Sequence, residues 1–374
     1  MSNVLKQTTS LLKLRGIVTR IDKDNAYDDG IWEKGANAGK PFRKLRFGVQ
    51  TSETNTLTVE MFDYEPEKVY MWNSTKAKEA KDNGKEYKGD RFDYHDWLDR
   101  RDELAEEGYT IISPRIGLTY KDDGKLDVKG VPSYEASREI YNNINNGDHV
   151  YVECEIRYSE YKDRDDNIKQ STNYTIKKLT KAREFSFDDE KFEELSYFEQ
   201  EMVFVDCDIA KEEGKAYVTG RMIDYKGNYI DNQFIVNWVG EDGKNDKDMV
   251  KLAKALSEKV KFGDVINVFG QAINKVIIEE VEDEEDDDDD PFAEFGGRQK
   301  PKHAQKYTSR TYISEMSIEG VDGIEREVYT EDDFVTDDLV EDEVDDFGGK
   351  KKGDNPFEDE DGEPIDIDDS DLPF

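Results

Sequence analysis

The chain has 374 residues, of which 35% are hydrophobic and 38% are charged, and its formal net charge is −37. This composition cannot fill one large core over the whole length, and it favours small barrels joined to polar segments without fixed structure. The acids are concentrated in two runs, since residues 279–295 carry a net charge of −12 and residues 326–374 carry −17, which leaves −8 on the rest. The body is therefore close to balance, and a polyanionic ligand is not excluded.

The sequence shows no sign of a membrane segment or a metal site. No stretch approaches the ~18 apolar residues of a membrane span, and the N-terminus has no apolar signal core, so we expect a cytoplasmic protein. Cys154 and Cys207 lie in apparent strands and are expected to be reduced core residues. His95, His149 and His303 are scattered without zinc-like spacing, so we expect neither a metal nor another cofactor.

The chain opens with the pattern of a bent β-barrel strand. Residues 11–21 read as one long strand with Gly16 in the middle, which would let the strand bend sharply and serve both halves of a barrel. A polar loop follows over residues 22–40. Residues 42–50 and 55–62 are two alternating runs that predict a hairpin. Three such strands are typical of the start of an OB barrel.

A long insertion separates these strands from the rest of the first barrel. It covers residues 65–146, and we assign it no specific function. Three helices are predicted within it, over residues 74–89, 94–107 and 133–145. Two further strands follow at residues 149–161 and 171–180, which completes five.

The second half repeats this plan. Residues 215–223, with Gly220 in the middle, are predicted to be the bent first strand, and residues 232–239 the next strand. A helix is predicted over residues 246–259 from its apolar spacing. Residues 262–268 then echo residues 146–152, and residues 307–314 resemble residues 170–177.

We therefore predict a mainly β protein with two OB-type five-stranded barrels, helical insertions, a disordered acidic loop and a disordered C-terminal tail. An alternative places everything after Val281 in the tail, but the second barrel would then lack its closing strand. The predicted boundaries are a disordered N-terminus at 1–10, the first barrel at 11–185, a linker at 186–199, the second barrel at 200–325 with its acidic loop at 279–299, and the tail at 326–374.

The first barrel carries both kinds of side chain that hold single-stranded DNA, namely aromatic rings for the bases and cations for the phosphates. Residues 42–47 alone combine three cations with two rings. The predicted DNA contacts in this barrel are Lys13, Arg15, Trp32, Phe42, Arg43, Lys44, Arg46, Tyr158, Tyr161 and Tyr174. Those in the second barrel are Arg221, Tyr225, Tyr229 and Trp238. Because cations are sparser there, the second barrel could instead bind weakly or mediate homodimerisation.

The chain ends in an acidic run followed by Leu-Pro-Phe, and a partner with a basic rim and a small apolar pocket could hold such an end. This end resembles the tip of bacterial single-stranded DNA-binding proteins, which finish in acidic residues followed by Pro-Phe. The resemblance implies that the tip binds replication, recombination and repair proteins through Asp368, Asp369, Asp371, Leu372, Pro373 and Phe374. The duplicated barrels are more similar to divergent versions carried by bacterial viruses, which would place the protein in the cytoplasm of the bacterial host.

No phosphate-binding loop, Gly-x-Ser-x-Gly motif or His-Glu-x-x-His motif occurs, so we do not expect an enzyme. The predicted function is to coat and protect single-stranded DNA during replication, recombination and repair, and to recruit partner proteins through the tip. One alternative is an acidic DNA-mimic inhibitor, which would carry its negative charge on the folded face. The other is a strand-annealing recombination protein, which would usually form rings.

Overall fold

The computed structural model describes residues 5–33, 35–162, 168–240, 243–281 and 307–334. Within this range, residues 31–41 group separately from the rest of the described chain. The two barrels described below belong to the larger group.

The regular elements of the first half alternate between barrel strands and an inserted region. In chain order they are β1 (Ser10–Thr19), β2 (Tyr27–Ile31), β3 (Pro41–Gln50), β4 (Thr56–Tyr64), β5 (Lys68–Asn73), α1 (Ser74–Asp82), β6 (Asp90–Asp93), α2 (Tyr94–Glu106), β7 (Tyr109–Thr110), β8 (Arg115–Gly117), β9 (Lys129–Gly130), α3 (Ser133–Asn143), β10 (His149–Lys162) and β11 (Ile168–Lys181). The second half contains β12 (Leu195–Ala210), β13 (Lys215–Ile223), β14 (Tyr229–Asn237), α4 (Lys247–Lys259), β15 (Val265–Val281) and β16 (Tyr307–Glu325). Short 3-10 helices lie at Gly35–Asn37 and Glu331–Phe334.

Five strands of the first half close into a barrel, which we call barrel 1. β1 pairs antiparallel with β3 and β10, β3 pairs with β4, and β10 pairs with β11. The barrel closes where β11 runs parallel to β4, at Tyr174 opposite Val59. A Cβ at Gly16 would lie 2.3 Å from the carbonyl oxygen of Gln50, so only glycine fits at the residue before β1 begins to pair with β3. With α3 before the fourth strand, this is the OB order.

Barrel 2 has the same connections, although its first strand is not the predicted one. β12 pairs with β13 and β15, β13 pairs with β14, and β16 pairs antiparallel with β15 and parallel with β14. The predicted first strand, residues 215–223, is the second, and the true first strand begins at Leu195 inside the predicted linker. The outward-facing acids Glu199 and Glu201 alternate with the buried Phe198 and Met202, so the segment looks polar in sequence although one side of it is core. The predicted fold class of two OB-type barrels is otherwise confirmed.

Two predicted boundaries also change, because chain outside the predicted second barrel packs against it. At the N-terminus, Thr8 N donates to Ile223 O at 3.0 Å and Lys6 N donates to the hydroxyl of Tyr329 at 3.1 Å. After β16, Tyr329 and Phe334 are buried in a small apolar cluster with β12 and β13. Residues 5–9 and 328–334 therefore form part of the folded body, whereas both were expected in disordered segments.

The insertion into barrel 1 forms a small unit with its own sheet. β5 pairs with β6 and β7, and helices α1 and α2 follow two of these strands. Each helix begins at a side-chain cap, since Asn73 accepts from the first turn of α1 and Asp93 from that of α2. β8 returns the chain to barrel 1 by pairing parallel with β11.

The two barrels are joined by strand pairing and by a buried asparagine. Residues 10–15 of β1 run antiparallel to residues 195–200 of β12. Asn55, at the β3–β4 turn, is 1% exposed. Its Nδ2 donates to Glu194 Oε1 at 2.8 Å and to Ala272 O at 3.1 Å, while its Oδ1 accepts from Asn274 N at 2.7 Å. One side chain of barrel 1 thus satisfies buried backbone groups of barrel 2.

Both cysteines lie inside the barrels as buried free thiols. Burial is the main cause that raises the pKa of Cys207 to about 11, and it also raises the pKa of Cys154. No helix within the described residues is long and apolar enough to cross a membrane.

We expect Asn55→Ala to lower the free energy of unfolding by about 2–4 kcal/mol, because it leaves buried groups of barrel 2 without partners. Urea denaturation followed by circular dichroism measures this. The control is Asn143→Ala, which removes one exposed hydrogen bond to Glu139 O and should change stability by about 0.5 kcal/mol or less. Similar losses in the two variants would contradict the assigned role of Asn55.

Candidate nucleic-acid interface

The second and third strands of barrel 1 present an outer row of side chains. In β3 the buried Leu45 and Phe47 alternate with partly exposed Lys44 and Arg46. In β4 the buried Val59 and Met61 alternate in the same way with partly exposed neighbours. The register places Lys44 opposite Phe62 and Arg46 opposite Glu60, so these side chains share one face.

Three aromatic rings lie together on this outer face. The rings of Phe42 and Phe62 stack with their centroids 6.0 Å apart and their planes at 28°. The ring of Tyr64 meets Phe62 edge-on, with centroids 5.1 Å apart. All three rings are partly exposed, whereas the ring of Phe47, on the inner side of β3, is buried. They form an aromatic row next to the cations of β3.

A third cation joins the face from the end of β1. Arg20 Nη2 donates to the hydroxyl of Thr58 on β4 at 3.2 Å. The pKa of Arg20 is lowered, first by burial and then by the neighbouring positive charge of Arg46. On the outer row of β4, Glu60 lies opposite Arg46 in the strand register. We call this surface the cation–aromatic face, and its residues are Arg20, Phe42, Lys44, Arg46, Phe62 and Tyr64.

Arg43 does not belong to this face, which corrects its prediction as a DNA contact. Its side chain points inward and is 8% exposed. Arg43 Nη1 donates to Glu135 Oε1 at 2.7 Å and to Tyr134 O at 3.0 Å, and the guanidinium lies 3.8 Å from the centre of the Tyr134 ring. Because the Arg43 side chain is buried and hydrogen-bonded within the protein, it is not accessible to a phosphate. Its charge instead anchors β3 to α3.

Glu135 is the centre of this buried network. Burial alone would raise the pKa of its carboxyl, but the hydroxyl of Tyr94 and the guanidinium of Arg43 both donate to it and hold the pKa below its usual range. Arg138 Nη2 also donates to it, at 2.7 Å. Because Tyr94 belongs to α2, the network connects the insertion to the strand that carries Phe42 and Lys44.

Lys13 and Arg15 lie on the outer side of β1, where other parts of the chain cover them. Lys13 Nζ is 3.8 Å from Glu199 Oε1 on β12. Arg15 Nη2 donates to Glu193 O at 3.0 Å, and its guanidinium lies over the rings of Phe185 and Phe192. Lys13 therefore lies beside the first strand of barrel 2, and Arg15 contacts the segment that leads into it.

Tyr158 and Tyr174 are directed toward barrel 2. The hydroxyl of Tyr158 donates to Gln200 Oε1 at 3.0 Å, and the hydroxyl of Tyr174 lies 3.5 Å from Met316 Sδ. Both rings pack against the core cluster that spans the two barrels, so they are corrected from base-stacking platforms to junction residues. Tyr161 lies in β10, and its side chain is outside what the structure describes.

Trp32 lies in the group formed by residues 31–41. Its backbone N donates to Lys40 O at 2.8 Å, and its O accepts from Gly39 N at 2.7 Å, which closes a compact loop. The indole is partly exposed. Its role as a DNA contact stays a prediction.

On the second strand of barrel 2, two cations form ion pairs with carboxylates of the same barrel. Arg221 pairs with Asp231 at 2.6 Å, and Lys215 pairs with Glu315 at 2.8 Å. The Arg221 guanidinium also lies against the rings of Tyr229 and Phe334, at 4.4 and 4.5 Å from their centres.

Of the aromatic residues predicted as DNA contacts in barrel 2, two are covered by the protein and one is exposed. Tyr229 donates its hydroxyl to Phe334 O at 2.7 Å, so the segment after β16 covers it. Trp238 is 7% exposed, and its burial removes it from the predicted contacts. Tyr225, at the β13–β14 turn, is 75% exposed and keeps the accessibility that a DNA contact needs.

The remaining predictions concern the tail. The tip residues lie outside the described chain, and their partner-binding role stays a prediction. They are Asp368, Asp369, Asp371, Leu372, Pro373 and Phe374. In the described part of the chain, no group of three or more His, Cys, Asp or Glu side chains is arranged to hold a metal ion.

Sequence reasoning missed Arg20, Phe62 and Tyr64. Because side chains alternate along β4 and Met61 is in the core, Phe62 lies on the outer side, with Tyr64 two residues further along. The alternating pattern in the sequence could therefore have identified both residues. Arg20 has no such signal. Its position over β3 follows from a left-handed backbone, with φ 61°, at the end of β1.

Fold and face together define a protein with two OB barrels, one of which carries a cation–aromatic surface on its second and third strands. The chain belongs to the YorF family, whose model matches residues 90–348. No curated protein matches the chain.

Two solved structures from Thermus aquaticus are similar, a deletion mutant and the wild type of its single-stranded DNA binding protein. They are 11% and 12% identical to this chain, with TM-scores of 0.34 and 0.33. Each alignment covers 72% of this chain and 88% or 87% of the other. These values are too low to transfer any residue role.

We expect Glu135→Gln to destabilise the protein by about 3–5 kcal/mol at neutral pH, because Arg43 would remain buried without its counter-charge. Since folding lowers the pKa of Glu135, its contribution is complete above the unfolded-state pKa and is lost as the pH falls through the folded-state value. The difference between wild type and variant should therefore shrink in acid.

Urea denaturation between pH 7 and pH 3 measures this difference. The double change Arg43→Met with Glu135→Gln should recover part of the loss, because no charge is then buried alone. A constant difference across the pH range would contradict the assigned role of Glu135.

Proposed function

We propose that the protein binds single-stranded DNA on the cation–aromatic face of barrel 1. The observation that carries this proposal is the presence of three rings and three cations on the outer side of the second and third strands. In OB folds this face and its neighbouring loops are where oligonucleotides bind. Binding of single strands without sequence preference needs both kinds of side chain side by side.

The rings favour a single strand over a duplex. A base can stack on Phe42, Phe62 or Tyr64 only when its own face is open, and in a duplex each base is covered by its neighbours. The rings are partly exposed and already stacked or edge-on, so a base would extend an existing aromatic row. Each such stack is worth roughly 1–3 kcal/mol.

The cations supply the attraction for the phosphates. Lys44, Arg46 and Arg20 approach the same surface from β3 and β1. In the described part of barrel 2, Arg221 pairs with Asp231 and Lys215 pairs with Glu315. The proposal therefore assigns the main DNA contact to barrel 1, and leaves the exposed Tyr225 as a secondary contact.

The same charges argue against the DNA-mimic alternative. A mimic needs carboxylates on a folded face, whereas the outer row of β3 and β4 carries Lys44 and Arg46 with Glu60 as the opposing acid. Most of the surplus acid lies in residues 279–295 and 326–374. A function in coating single strands during replication, recombination and repair, with partner recruitment through the tip, agrees with this arrangement and forms part of the proposal.

We expect Phe62→Ala to weaken binding to oligo-dT by about 1–3 kcal/mol without changing the dependence on salt, because it removes a stacking surface but no charge. Lys44→Gln should instead lower the slope of log K against log salt by about 0.7. Fluorescence titration at several salt concentrations separates the two effects.

The control is Tyr70→Ala, which removes an exposed ring stacked with Arg91 on the separate sheet of the insertion. It should bind as the wild type does. If Phe62→Ala and Lys44→Gln also bind like the wild type while remaining folded, the DNA lies elsewhere.

We expect deletion of residues 335–374 to increase affinity for oligo-dT at low salt. The deletion removes a net charge of −14, which otherwise competes with phosphates for the cations of barrel 1. It begins after Phe334 because residues 328–334 pack against barrel 2. The gain should shrink as salt rises, since added ions screen the tail. An equal affinity at every salt concentration would show that the tail does not compete.

A further inference from the structure

Two arginines, one directly after β1 and one in β3, lie beside a glycine on the cation–aromatic face. Arg20 follows β1, Arg46 lies in β3, and Gly48 is the next residue on the outer side of that strand. A Cβ at Gly48 would lie 2.3 Å from Thr19 Oγ1, 2.7 Å from Arg20 Nη2 and 3.0 Å from Arg20 Nε. The missing side chain is therefore what lets the Arg20 guanidinium cross β3 and reach Thr58.

The arginine pair is held without a counter-charge. Within the described chain neither guanidinium forms an ion pair, although Glu60 lies opposite Arg46 in the strand register. Arg46 Nε and Thr19 Oγ1 are buried and have no hydrogen-bond partner in the same part of the chain. Like charges at close range repel, and the lowered pKa of Arg20, due to burial and then to Arg46, agrees with that repulsion.

The backbone at Arg20 is also kept in an unfavourable conformation. Its φ of 61° lies in the left-handed region, which a non-glycine residue adopts only at a cost. The conformation turns the chain at the end of β1, so that the side chain of Arg20 lies across β3. Backbone strain of this kind is concentrated at binding and catalytic sites in proteins.

We infer that Arg20 and Arg46, positioned by Gly48 and Thr58, form a subsite for one phosphodiester group of the bound strand. This inference rests on the proposed function and deepens it, because it names where one backbone phosphate is held. A phosphate fits because its oxygens can accept from two guanidinium groups at once, and guanidinium has the donor geometry that phosphate recognition uses. The anion also removes the repulsion between the two cations.

Four single variants test the subsite in the full chain. Arg20→Gln and Arg46→Gln each remove one charge of the pair. Gly48→Ala keeps every charge but displaces the Arg20 guanidinium together with the Thr19 hydroxyl. The matched control is Arg100→Gln, which removes a charge that pairs with Glu103 on an exposed face of α2.

The first measurement is oligo-dT binding across a salt series. Arg20→Gln, Arg46→Gln and Gly48→Ala should each weaken binding about tenfold and lower the salt slope by about 0.7. Arg100→Gln should match the wild type in both. Loss in Gly48→Ala is the most specific result, since general electrostatics predicts no change for a variant of unaltered charge.

The second measurement is the melting temperature in inorganic phosphate against chloride at equal ionic strength. Phosphate also stabilises most proteins slightly, because it is excluded from their surface. The informative quantity is therefore the rise in melting temperature beyond the rise that the arginine and glycine variants show. The wild type and Arg100→Gln should show an excess shift, and Arg20→Gln, Arg46→Gln and Gly48→Ala should not. If Arg20→Gln does not fold, Arg20→Gly replaces it, because glycine accepts the left-handed backbone.

The two measurements separate the subsite from the proposed function. If oligo-dT binds but all three face variants keep the wild-type slope and phosphate shift, the subsite is wrong and the proposed function stands. If the phosphate shift depends on the arginines but oligo-dT does not bind, the site holds free phosphate and the proposed function is wrong. If Gly48→Ala alone behaves as the wild type, the positioning by Gly48 is overturned.

Discussion

The pairing of β1 with β12 is the constraint on which the rest of the molecule depends. β1 already serves barrel 1 through β10 on one side and β3 at its end. Its N-terminal half then uses its other edge to pair with β12, the first strand of barrel 2. An unpaired edge in either barrel would expose backbone donors and acceptors, and the shared ladder satisfies both sets at once.

Several side chains that looked like ligand contacts are explained by this shared ladder. Once the first strands are paired, Lys13 lies near Glu199 of β12, and Arg15 donates to Glu193 O in the segment that enters barrel 2. The ends of β10 and β11 come close to barrel 2, where Tyr158 and Tyr174 reach Gln200 and Met316. The outer side chains of β3 and β4 take no part in this ladder and are partly exposed.

The buried network around Glu135 gives the insertion a physical connection to that face. α2 supplies Tyr94, α3 supplies Glu135, and β3 supplies Arg43. Arg43 lies between Phe42 and Lys44 in sequence, so its inward side chain holds the strand while its neighbours face outward. The insertion, to which the sequence assigned no role, thus supports the strand that carries the candidate interface.

The sequence predicted the features that follow from the alternation of residues within one element. It did not predict those that depend on contacts between elements distant in sequence. The barrel type, the position of α4 and the outward direction of Lys44 and Arg46 all follow from patterns within one element. Arg43 and Trp238 were misassigned because residue type suggests exposure or stacking, while burial is decided by Glu135 and by the core of barrel 2. The first strand of barrel 2 was missed because its outward acids made residues 195–201 resemble a linker.

Arg20 shows the limit of such prediction most clearly. Nothing in its neighbourhood marks it as part of the face, because its placement needs three facts from three strands. These are the left-handed turn after β1, the missing side chain at Gly48, and the hydroxyl of Thr58. Each fact alone is ordinary, and only the register of β1, β3 and β4 brings them together.

The two barrels therefore differ less in fold than in how their outer cations are balanced. In barrel 2, Arg221 has Asp231 as its counter-charge and packs against two aromatic rings, which makes it a structural residue. In barrel 1, Arg20 and Arg46 have each other, and two like charges side by side cost free energy in the absence of an anion. In such a duplicated fold, the barrel whose arginine has a counter-charge can supply stability. The barrel with two neighbouring arginines can supply affinity for a polyanion. A net charge of −37 does not prevent this, because charges beyond roughly 8–10 Å are largely screened at physiological salt.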